Sequence, residues 1–215
     1  FRHNVELTYI YKNSLSCKVY YNFGNDVFGQ YVILDSNNIH LQVQKTDNFF
    51  KEHSLGIGLF YYVNKKWFEC TISGEFAYVK DISKSNQLSD CQGIMSVLSM
   101  QNNFQIGKNF VLICNLSEYF PGLYNHRYKR NSFELDAGLV YSILKANIDI
   151  KLIVFDILNT ATPAYFYYSN GIRQNYRNNY DTRCLKFIFS WKIGNWYNSK
   201  TNSFDSPGNA EKQRL

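Results

Sequence analysis

Proline is almost missing, with three in 215 residues. Proline removes a ladder hydrogen bond, so its scarcity leaves long strands unbroken. Also missing is any run of about 18 apolar residues, which excludes a transmembrane helix. It does not exclude a transmembrane β-barrel, whose spans alternate apolar and polar positions. Cysteines are few and odd in number, Cys17, Cys70, Cys91, Cys114 and Cys184, with no Cys-x-x-Cys pair. Neither a disulfide framework nor a zinc site is expected from them. His3, His40, His53 and His126 share no ligand spacing, so no metal site is expected either. The stretch LGIGLF lacks the third glycine and the helix of a dinucleotide loop. Its glycines read instead as space inside a crowded interior. No Gly-x-Ser-x-Gly occurs, and Glu134 with Asp136 reads as interior charge rather than a hydrolytic pair. The chain is therefore read as having no catalytic residues, no cofactor and no enzymatic role. Net charge is a modest +6, and the basic residues gather in connections. That argues against a nucleic-acid partner.

Aromatic residues are plentiful, with 18 Tyr and 17 Phe, and both types favour strands. The apolar period is two almost everywhere, with no sustained helical spacing. Nine spans are predicted, at 5–11, 14–23, 54–63, 67–80, 94–104, 110–120, 133–144, 148–158 and 182–194. Two β-like pieces, 27–34 and 39–44, would extend two of these spans or form a further hairpin, giving nine to ten strands. The last span states the problem plainly. Leu185, Phe187, Phe189, Trp191 and Ile193 share one face, and Lys186, Ser190 and Lys192 the other.

Connections alternate short and long, about two to four residues against about a dozen or more. Spans of about ten residues exceed the usual globular strand and match a tilted bilayer crossing. Aromatics gather near strand ends: Tyr61, Trp67, Tyr141 and Trp191 at one, Tyr21, Phe23, Phe76, Tyr78 and Tyr119 at the other. Two interfacial girdles would look like this. The pattern predicts an all-β, antiparallel transmembrane β-barrel. Its lipid-facing residues would be Leu55, Ile57, Leu59, Leu135, Leu139, Ile150, Leu152, Leu185, Phe187, Phe189, Trp191 and Ile193. Residues 1–194 form the barrel segment and 195–215 a polar periplasmic tail. Nine spans beginning in mid-pattern at Phe1 imply further strands upstream, unless the pieces between Val27 and Gln44 add to a small closed barrel; the chain is read as a fragment.

Four stretches resemble a known family: LKFIFSWKIGN as a closing strand, NAEKQRL as the ending after it, IKLIVFDILNT as a penultimate strand, and KNFVLICNLSEYFPG as a strand reaching an aromatic-Pro-Gly loop. The chain resembles the C-terminal barrel of TonB-dependent-receptor-like outer-membrane proteins of Bacteroidota. Ile193 stands where that family more usually has Phe. The resemblance implies the C-terminal portion of a barrel of about 22 strands in the Gram-negative outer membrane. It implies ligand uptake, with the plug and the TonB contact on a missing N-terminal part. Partners would be outer-membrane lipid and lipopolysaccharide, the plug, the TonB system, and a small ligand such as an oligosaccharide, peptide or metal chelate. The alternatives are a non-transporting receptor or structural barrel, and a soluble β-sandwich binding module.

Ligand contacts are expected in two long loops. One carries His126, Arg127, Tyr128 and Arg130; the other carries Tyr165, Tyr167, Arg173, Tyr176, Arg177 and Tyr180. Aromatic faces and guanidinium groups on a rim can stack on a ligand and hydrogen-bond it.

Overall fold

The computed structural model describes residues 2–35, 41–177 and 181–193. Its strands, in chain order, are β1 (Arg2–Tyr11), β2 (Leu15–Leu34), β3 (Gln42–Lys65), β4 (Phe68–Ser83), β5 (Cys91–Ile106), β6 (Phe110–Tyr119), β7 (Gly122–Tyr124), β8 (Arg127–Lys129), β9 (Ser132–Ile143), β10 (Ile148–Phe155), β11 (Ala164–Ser169), β12 (Ile172–Arg177) and β13 (Cys184–Trp191). Nine of them make one antiparallel sheet in the order β1-β2-β3-β4-β5-β6-β9-β10-β13. These nine correspond to the nine spans predicted from the alternation. Among the described residues β1 and β13 are free edges, so the sheet is a curved wall rather than a closed cylinder. No described helix is long and apolar enough to cross a membrane.

Register carries the apolar face from strand to strand. Leu7 pairs with Val19, Val19 with Ile57 and Ile57 with Phe76. Farther along, Leu112 pairs with Leu139, Leu139 with Leu152 and Leu152 with Phe187. This face is uncovered: Leu7 is 76% exposed and Phe187 64%. Of the residues expected to meet lipid, Leu55, Ile57, Leu59, Leu139, Leu152, Leu185, Phe187, Phe189, Trp191 and Ile193 are exposed, and Leu135 and Ile150 are half-buried. Among the described residues no second sheet packs over them, which removes the stacked-sandwich reading.

The opposite face is polar and crowded. Tyr20 stands opposite Gly56, which stands opposite Ala77. The Tyr20 hydroxyl donates to Glu75, and Tyr62 donates to Glu69 at 2.9 Å. The ammonium of Lys192 reaches Asp149 at 3.2 Å. Tyr119 is expected from the sequence in an outer aromatic girdle, but it lies on this inner face. It pairs with Val97 and Ser132, and the Lys129 ammonium sits 3.4 Å from its ring centroid. Its parity within β6 opposes that of Leu112 and Leu116, which accounts for the difference.

The short turns use left-handed residues, Lys12 and Asn13 (φ 47° and 52°), Gly107 (φ 66°) and Asn147 (φ 53°). Asn and Gly adopt this region at little cost. The turn expected at Asn64-Lys65 falls instead at Lys66-Trp67, because Lys65 still pairs with Phe68. At the other end the strands run on. The piece at 27–34 lies in β2, of 20 residues, and residues 42–44 of the second piece open β3, of 24 residues, while residues 39 and 40 lie outside the described residues. At about 3.3 Å per residue, β3 is roughly 80 Å long, well beyond a hydrocarbon core of about 30 Å. The outer part of these strands therefore stands clear of the lipid band. A bulge between Gly24 and Phe28 reverses the parity there. Tyr20 faces inward below it, and Val27 and Tyr31 are buried above it. A bulge adds residues to one strand and re-aims the side chains beyond it.

The sequence reads residues 121–131 and 159–181 as loop. They instead contribute β7, β8, β11 and β12 to a second antiparallel sheet, in the order β12-β11-β8-β7. The three residues each of β7 and β8 carry too little alternation to stand out. This small sheet folds in over the extended outer ends of β2–β5, and a core of Tyr31, Phe49, Phe50, Leu123 and Tyr167 forms between the layers. Gly122 makes the approach possible, since a Cβ there would lie 2.0 Å from the Ile94 carbonyl oxygen.

Candidate functional site

The β7–β8 hairpin turns at Asn125 and His126, both with left-handed φ (48° and 63°). This delivers His126 inward, 7% exposed, against the barrel wall. Glu52 on β3 and Asp81 on β4 stand directly opposite one another there. Asp81 Oδ2 lies 2.8 Å from His126 Nδ1, and Glu52 Oε2 lies 3.8 Å from His126 Nε2. Phe50 stacks on the imidazole at 4.9 Å. Cys91 Sγ is 3.7 Å from Asp81 Oδ2.

Arg127 follows His126 and fills an aromatic box. Its guanidinium carbon is 5.0 Å from the Tyr31 centroid, 4.8 Å from Tyr165 and 5.8 Å from Tyr167. It also donates to the Gln30 carbonyl. Tyr31 donates to the His126 carbonyl at 3.3 Å, and the Val32 amide donates to Tyr167 Oη at 3.1 Å. Burial, then the hydrogen bond with Tyr176, pushes the Tyr167 hydroxyl up to about 12. It therefore stays protonated under physiological conditions.

The ten expected ligand contacts are thus divided. His126 and Tyr167 are buried, and Arg127, Tyr165 and Tyr176 are half-buried in mutual stacking. Tyr128 is half-buried, stacks on Phe166 at 5.1 Å and donates to the Gln92 carbonyl. Arg130, Arg173 and Arg177 are exposed, with Arg173 3.8 Å from the Phe166 centroid. Tyr180 lies outside the described residues. In the small sheet Phe166 pairs with Asn175 and Tyr128, and Tyr168 pairs with Arg173. Tyr128, Phe166, Tyr168 and Arg173 therefore make an aromatic-cationic ledge. The sequence reading leaves Glu52 and Asp81 out entirely. They are far from His126 in the chain, and only strand register and the inward hairpin bring them together.

Beneath the hairpin the inner face curves around a cavity of about 660 Å³, lined among others by Lys18, Ser73, Glu75, Tyr119 and Asn125.

No curated protein and no solved structure matches this chain. A family model, that of the outer membrane protein beta-barrel family, matches residues 1–191. That span takes in all nine wall strands and both inward hairpins. With its alternating wall, uncovered apolar face and polar interior, the chain belongs to the outer membrane protein beta-barrel family, and its place is the outer membrane.

Proposed function

We propose that this chain is the C-terminal wall of a larger barrel, of about 22 strands, that takes up a ligand across a Gram-negative outer membrane. The unpaired edges β1 and β13 are the observation that carries this reading. A sheet edge in hydrocarbon leaves amides and carbonyls without partners, at several kcal/mol each, so membrane sheets close. Additional strands would close this one, and a barrel that wide needs a plug. The resemblance to TonB-dependent receptors of Bacteroidota supplies one, with energy from the inner membrane. The ledge of Tyr128, Phe166, Tyr168 and Arg173 suits an oligosaccharide, a peptide or a metal chelate, since rings stack on flat faces and Arg pairs with oxyanions.

A second reading is a surface receptor or structural barrel without transport. It is favoured by the Arg127 box, where the expected ligand contacts stack on one another. Growth of a deletion strain on panels of oligosaccharides, peptides and metal chelates separates the two. Transport predicts a defect on one class, reproduced when the energy-coupling system is removed and when Arg173→Ala and Tyr168→Ala are combined. Unimpaired growth on all three classes would overturn it and leave the receptor.

A further inference from the structure

We propose that Glu52, Asp81 and His126 bind one divalent transition-metal cation, which fastens the inward β7–β8 hairpin to the barrel wall. The site does not depend on whether the barrel transports anything.

Like charges directly opposite on paired strands repel, and Glu52 and Asp81 are such a pair. Asp81 is 0% exposed, and a buried carboxylate is costly unless it is matched by positive charge or a metal. Arg2 reaches Glu52 at 3.7 Å from an exposed position. Facing Asp81, among the described residues, the ion-pair partner is His126.

A proton on His126 does not complete the arrangement. Nδ1 and Asp81 Oδ2 are 2.8 Å apart, yet Nδ1 makes no aligned hydrogen bond, and Asp81 Oδ1 is likewise buried without a partner. A cation on the lone-pair axis of Nδ1 sits off the line between the two atoms, where it meets both. One donor atom from each of the three residues lies within 4.8 Å of the others. With ligand bonds of about 2.0–2.2 Å to Zn²⁺, the Glu52 carboxylate, which lies 3.8 Å from Nε2, swings toward the Nδ1 side to complete the set. One imidazole nitrogen with two carboxylates suits zinc and its first-row neighbours. With neutral His126 the set carries two negative charges, which a divalent ion cancels. Phe50 stacked on the ring and Cys91 on the Asp81 carboxylate hold the donors from behind.

The test uses the intact gene product in detergent, stripped by chelator and titrated with Zn²⁺ and with Co²⁺. One equivalent should bind, Co²⁺ should give a ligand-field absorption band, and loading should slow trypsin cleavage after Lys129 and Arg130. Glu52→Gln, which changes a partly exposed side chain, should weaken binding by more than about 10- to 100-fold, the loss that follows removal of a group that only supports a ligand. His126→Gln should abolish the cobalt spectrum. Absence of binding, or binding undiminished in Glu52→Gln, would overturn the site. So would hairpin protection that follows pH and ignores metal, which makes His126 an imidazolium held between two carboxylates.

Discussion

The ring of Tyr20 lies across the bare backbone of Gly56: a Cβ at 56 would come within 2.5 Å of both Tyr20 Cζ and its hydroxyl, and 2.8 Å from the Ala77 Cβ. Glycine here is a matter of space, since Gly56 does not use left-handed backbone. Gly56→Ala should destabilise the intact protein by about 1–3 kcal/mol, the usual cost of overpacking. Gly58→Ala, whose Cβ would first meet Lys18 Cε at 3.4 Å, should be far milder. Urea midpoints from the heat-modifiable gel shift compare the two, and equal effects would refute the packing account.

The outward face should reject charge where the inward face accepts it. Leu152 is exposed between Leu139 and Phe187. Leu152→Arg should cost about 2–4 kcal/mol if it lies near the bilayer midplane. Lys186→Glu, on the opposite face, should change stability little. The folded fraction recovered from outer membranes measures both.

Arg127 should behave as a structural cation. Its contact with the Tyr31 ring and its bond to the Gln30 carbonyl join the hairpin to β2, and its contacts with Tyr165 and Tyr167 join it to β11. Arg127→Ala should raise trypsin cleavage at Lys129 and Arg130 on whole cells several-fold, consistent with about 1–2 kcal/mol for a desolvated stack. Arg127→Lys should rescue poorly, because an ammonium cannot stack as a planar guanidinium does. Full rescue by Lys would show that charge alone matters.

Asp156 lies just beyond β10 and closes the connection to β11. It accepts hydrogen bonds from the Thr160 amide at 3.0 Å, the Ala161 amide at 3.2 Å and the Thr182 hydroxyl. Burial pushes its carboxyl up, but these bonds, together with the nearby Arg183 charge, outweigh it and hold the group below the ordinary carboxylate range. A lowered folded pKa stabilises fully above the unfolded value of about 3.9 and is lost as pH falls through the folded one. Asp156→Asn should therefore lower the urea midpoint at neutral pH. The gap to wild type should close as pH drops below about 4. A gap that stays constant with pH would remove the carboxylate from the account.

Much of the wall is legible because alternation needs no tertiary information. Leu185, Phe187 and Phe189 against Lys186 and Ser190 state their faces in the primary structure. Of the glycines of LGIGLF, Gly56 reads correctly as space, since it houses the Tyr20 ring. Tyr119 is misplaced by the sequence because its character is amphipathic and only its parity within β6 decides its side. The extensions of β2 and β3 are harder to see, because the bulge near Val27 interrupts the period that identifies a strand. Of the candidate site, His126 and the Arg-Tyr loops are visible as composition, yet half of those side chains pack on one another.

What the chain order alone determined is the sheet: each wall strand pairs with the next wall strand along the chain, so local turns and period-two alternation suffice to set pairing and sidedness. What only the tertiary structure decided is the inward fold of the two hairpins and the meeting of Glu52, Asp81 and His126. Those three residues lie on different elements. Their proximity comes from cross-strand register and from one backbone approach at Gly122, and neither leaves a spacing in the sequence.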